Sequence, residues 1–179
     1  MIKLPVFAFL TGLYFAILQF CYLILLQVNI SSAYLTYMII VVSWFAGSLV
    51  GLWLKNLNVP LGVILGLLSY YGVYGLVVKW PFSSFTLFLA SFGVFVTGLW
   101  AGRFFVFILS GFKTVDRLFF HENNGFLLGI LLFFVGFTLL GREFSLWAPI
   151  LLGSSLLVFN GWIPDRKSAP ATQEGNRSI

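Results

Sequence analysis

Of 179 residues, 60% are hydrophobic and only 8% charged, and the mean hydropathy is +1.04. A soluble domain carries roughly 25% charged residues, so a water-facing fold is excluded and the bilayer is the solvent for most of the chain. The formal charge of +5 is spread thinly along the predicted membrane edges, which speaks against a nucleic-acid partner and for a topological signal.

A spanning helix needs about 20 mainly apolar residues, and six stretches qualify: 4–28, 32–54, 59–78, 85–102, 125–140 and 146–162. The predicted fold is an all-α up-and-down bundle over 1–163, with a disordered cytoplasmic tail, 164–179. The first stretch is too long for the apolar core of a signal peptide, and no small-residue cleavage pattern follows it, so a retained helix is expected. Its lone Cys21 excludes an internal disulfide and reads as a small core residue. Gln19 and Gln27 are its main buried amides, expected to hydrogen-bond a neighbouring helix. The connectors "NIS", "KNLN", "KWPFSS" and "REFS" are short, which implies antiparallel neighbours.

Six spans place Lys3, Lys55, Arg103, Lys113, Arg117, Arg166, Lys167 and Arg177 on one side and only Lys79 and Arg142 on the other. Eight positives against two predict that both termini are cytoplasmic, in a bacterial inner membrane.

Small residues recur four apart: Ser43, Gly47 and Gly51; Gly62 and Gly66; Gly98 and Gly102; Gly125 and Gly129. This spacing lets helix backbones approach closely. "SSAYLTYMIIVVSWFAGSLVG" and "SSFTLFLASFGVFVTGLWAG" are also weakly alike, a hint of an internal repeat. Tyr70, Tyr71 and Tyr74 cluster near one end of the third span. They read first as an interfacial aromatic belt, and otherwise as a pocket stacking a quinone, pigment or lipid ring.

Residues 103–122 form the one long connector. Phe112, Val115, Leu118 and Phe119 fall at helical spacing, with Lys113, Asp116 and Arg117 largely opposite. Either a short interfacial helix precedes the fifth span, or the fourth span runs on to Leu109 and Arg103 snorkels outward. "FFHENNGFLLG" then holds the only histidine. Zinc needs three or four ligands, and His121 with Glu122 supplies two at most, so no metal site is expected. Glu122, Asn123 and Asn124 read as the capped start of the fifth helix. Its polar collar accounts for His121, whose remaining reading is a ligand completed by a partner chain.

The stretch 31–54 and then "FFHENNGFLLG" resemble the membrane half of the bacterial multispanning spermidine-synthase-like proteins. One likeness is a helix opening with Ser and closing in Gly47 and Gly51. The other is an aromatic and an acid ahead of a helical Gly pair, here Phe119, Glu122, Gly125 and Gly129, where the family more often shows Tyr and Asp. The family's soluble aminopropyltransferase half has no counterpart in these residues. The resemblance implies a six-helix module, not polyamine synthesis.

No phosphate-cradling Gly loop, nucleophile elbow or catalytic triad is present, and no Asp, Glu, Lys or His lies inside a predicted span. Enzymes and ion-coupled pumps are therefore disfavoured. The expectation is a non-catalytic subunit, with no cofactor of its own, packed among membrane lipids and other integral subunits. A respiratory or photosynthetic electron-transfer assembly is the expected host. The alternative is a small-molecule transporter or channel with a neutral path past Gln19, Gln27 and the tyrosines.

Overall fold

The computed structural model of the chain describes residues 3–30 and 33–161. Pro164 and the tail from Asp165 lie outside them. Six helices account for the architecture: α1 (Lys3–Asn29), α2 (Ala33–Gly51), α3 (Val59–Lys79), α4 (Ser84–Leu109), α5 (Val115–Leu140) and α6 (Arg142–Asn160). All six are long and apolar enough to cross a membrane. In lipid every backbone polar group must be satisfied internally, and helices do this within each segment.

The hub is α1. It packs against the other five, which surround it in the order α2, α4, α3, α6, α5. α2 and α5 share no extensive contact among the described residues, so the ring stays open between them except near the start of α5, where Phe105 of α4 stacks on Phe119 at 5.0 Å. The core is a chain of aromatic rings radiating from α1. Phe15 meets Trp44 of α2 and Phe104 of α4 edge-on at 5.8 Å in both cases. Tyr22 meets Tyr70 of α3 edge-on at 5.2 Å.

Two close pairs hold the bundle, α1 with α5 and α2 with α4. In the second, Gly47 and Gly51 lie on the carbonyls of Phe95 and Leu99, while Gly98 and Gly102 lie on those of Trp44 and Ser48. The two sets interchange under one shift in residue number, so the pair is parallel with a local two-fold relation. These are the two segments whose sequences are alike. The other pair repeats the device: Gly12 lies on the carbonyl of Glu122, Gly125 on that of Phe9, and Gly129 against Ala16. Elsewhere Gly62 takes the ring of Trp100 and Gly66 the Tyr14 hydroxyl. Ser43 stays partly exposed.

The segment 103–122 departs from one of its two expected forms. The fourth helix does run to Leu109, and the fifth begins at Val115, so the connector is only 110–114 and no separate interfacial helix intervenes. Arg103 turns back to the α2–α3 loop, donating to the carbonyls of Lys55 at 3.0 Å and Leu57 at 3.4 Å. At 1.5 Å per residue, the 26 residues of α5 span about 39 Å, beyond a hydrocarbon core of about 30 Å. The amphipathic pattern is the projecting start of a long helix. The expected cap at Asn123 and Asn124 is also overturned, because α5 starts after Thr114, which makes no side-chain capping bond, and Asn124 donates to the Phe120 carbonyl inside the helix. "REFS" is not a loop either. It opens α6, and Gly141 alone forms the turn, at φ 58°.

Candidate functional site

Tyr70 is fully buried in the bundle, so the interfacial-belt reading fails for it. Its role comes from α6. Pro149 lies inside that helix and has no N–H for the carbonyl of Ser145, four residues earlier. The Tyr70 hydroxyl donates to that carbonyl at 2.9 Å, and the Tyr71 hydroxyl donates to the next one, of Leu146, at 2.5 Å. Tyr70 thus replaces the donor that proline removes, as a membrane interior requires, and Tyr71 adds a bond to the neighbouring carbonyl. With their hydroxyls engaged, neither presents a free donor to a quinone or pigment.

His121 sits two turns into α5, partly exposed, with the rings of Phe112 and Phe120 beside it at 6.2 and 5.5 Å. No group of three His, Cys, Asp or Glu side chains able to hold a metal occurs among the described residues. Glu122 is buried, with its backbone against Gly12 of α1. Asp116, His121 and Glu122 therefore belong to the projecting start of α5 rather than to a connector before it. The sequence reading misplaced them because it started that helix at Gly125.

Gln19 and Gln27 are partly exposed, and neither amide hydrogen-bonds to a described residue. A residue turns about 100° around a helix axis. Gln19 lies one turn beyond Phe15, which meets α2, and beside Phe20, whose ring meets Phe133 and Phe134 of α5 at 5.5 Å. It faces the seam that α2 and α5 leave open.

A cavity of about 330 Å³ opens at the end of the bundle where α1, α3 and α5 finish and α6 begins. Leu25, Val28, Val77 and Phe137 form its apolar walls, and Tyr74, Arg142 and Ser145 supply polar groups. Arg142 lies over the Tyr74 ring, 5.1 Å from its centroid, and donates through Nε to the Tyr74 hydroxyl. Ser145 is buried, and its Oγ lacks a well-formed hydrogen bond, with the weakly polar Cys21 thiol beside it. Of the tyrosine cluster, only Tyr74 lines this cavity. Sequence reading missed Ser145 and used Arg142 only as a topological charge. The only available signal was an arginine on the side nearly empty of positives.

The chain matches no protein-family model, no curated protein and no solved structure.

Proposed function

We propose that this chain is a non-catalytic integral subunit that docks a transmembrane helix of another protein along the α2–α5 seam. The observation that carries the reading is Gln19. A primary amide facing hydrocarbon without a partner costs several kcal/mol by transfer arguments. A polar side chain from a second helix removes that cost, which is how amides join helices in membranes. The seam also exposes the α1 hub, so a partner helix there would close the ring. The small-residue faces do not serve this purpose, because they are used inside the chain. Six apolar helices suit a multi-pass protein, and the charge bias supports an inner-membrane setting with cytoplasmic termini.

The test is mild-detergent purification from the native membrane with mass spectrometry of what accompanies the chain. A defined set of integral proteins should co-purify with the wild type and fall away in Gln19→Leu. Recovery of a lone monomer or homo-oligomer, or a partner set untouched by Gln19→Leu, would overturn the proposal.

A further inference from the structure

The cavity between the ends of α1, α3 and α5 and the start of α6 belongs to none of the roles derived above. Its walls are hydrocarbon, yet one guanidinium stands at its mouth and no carboxylate lines it. The nearest acid in sequence, Glu143, is exposed and is not part of the lining. Arg142 spends its Nε–H on Tyr74. That bond and the ring beneath fix the guanidinium plane and leave the terminal N–H groups for a ligand. Such a fork matches the paired oxygens of a phosphate. Ser145 lines the same cavity; it is 94% buried, and its Oγ lies beside the Cys21 thiol without a well-formed bond. The first turn of α6 begins at Arg142 without a side-chain cap, so its free N–H groups favour an anion at that end.

We propose that this cavity binds an anionic phospholipid, with one acyl chain between Leu25, Val28, Val77 and Phe137 and the phosphate on Arg142. The volume lies at the lower end of the range for small-molecule sites, which suits one chain. An aqueous anion would meet walls that are mostly apolar, whereas a lipid supplies both halves of the match. The site stands at the membrane edge, where a headgroup resides. It is independent of the α2–α5 seam, and it does not require a partner subunit.

The protein purified alone is reconstituted in nanodiscs holding equal phosphatidylglycerol and phosphatidylcholine. Lipids retained on release are then counted by native mass spectrometry. The wild type should retain phosphatidylglycerol in preference. Arg142→Gln should lower that preference about tenfold, the scale of one charge-assisted contact. Val28→Trp, at an exposed wall position that tolerates bulk, should abolish retention while leaving Arg142 in place. Lys79→Gln, a cation at the same end but outside the cavity, should change nothing. Equal retention of the two lipids, a preference that survives both cavity variants, or an equal loss in Lys79→Gln would overturn the proposal. So would displacement of the lipid by millimolar inorganic phosphate, which would make the site one for a free anion.

Discussion

A methyl group in place of the Gly125 hydrogen would run into the Phe9 carbonyl, which belongs to the backbone of α1 and cannot turn aside. The helices must separate to admit it, and overpacking of this kind costs 1–3 kcal/mol or more. Gly125→Ala should therefore destabilise the bundle by at least about 2 kcal/mol. Gly75→Ala is its control. Nothing lies within 4 Å of a side chain there, so only the gain in helix propensity, up to about 1 kcal/mol, should appear. Thermal unfolding of both variants in one detergent compares them, and equal losses would show that the α1–α5 approach is not tight. Gly125 and Gly129 are visible in the sequence as a spaced pair. Their counterparts Gly12 and Ala16 on α1 have the same spacing, but nothing local says which pair meets which.

Among the elements, α6 carries the clearest dependence on a neighbour. Its interior Pro149 removes one backbone donor, and Tyr70 of α3 provides the replacement. Tyr70→Phe should cost about 1 kcal/mol, the usual worth of such a bond in a membrane protein. In a Pro149→Ala background the alanine N–H can reach the Ser145 carbonyl, and the same substitution should become nearly neutral. A double-mutant cycle measured by reversible unfolding reads this coupling. Additive effects would mean that the tyrosine does not serve the proline-broken turn. The sequence showed Pro149 and the tyrosines separately, 75 residues apart for Tyr70 and its acceptor. Their hydroxyl-to-carbonyl pairing required the antiparallel packing of α3 on α6.

For the whole molecule, the charge bias makes a prediction about sidedness. A reporter active only in the cytoplasm, fused after Ile179, should give full signal, and the same reporter inserted after Pro81 should be silent. A silent, well-expressed fusion at Ile179 would defeat the topology. The same bias isolates Arg142 and Lys79 at the opposite end, where the lipid cavity opens. The bundle thus has a densely packed middle around α1, an open lateral seam bearing Gln19 and an apolar cavity at one end. The proposed partner helix and the proposed lipid would thus take distinct surfaces.

The sequence by itself determined that six helices form and roughly where each lies, because the length of an apolar run is a local quantity. A helix in lipid satisfies its backbone within its own segment and needs no distant partner to exist. Its ends were harder to place between 103 and 122, where charged residues lie on helices that outreach the hydrocarbon core and so do not mark a boundary. Only the tertiary structure decided that α1 is the hub, that most of the four-spaced glycines meet in two parallel internal helix pairs, and that Gln19 faces an open seam. It alone placed Tyr74, Arg142 and Ser145 around one cavity. Helix association in lipid rests on close shape fit and paired polar groups rather than on hydrophobicity, and both join residues far apart in the chain.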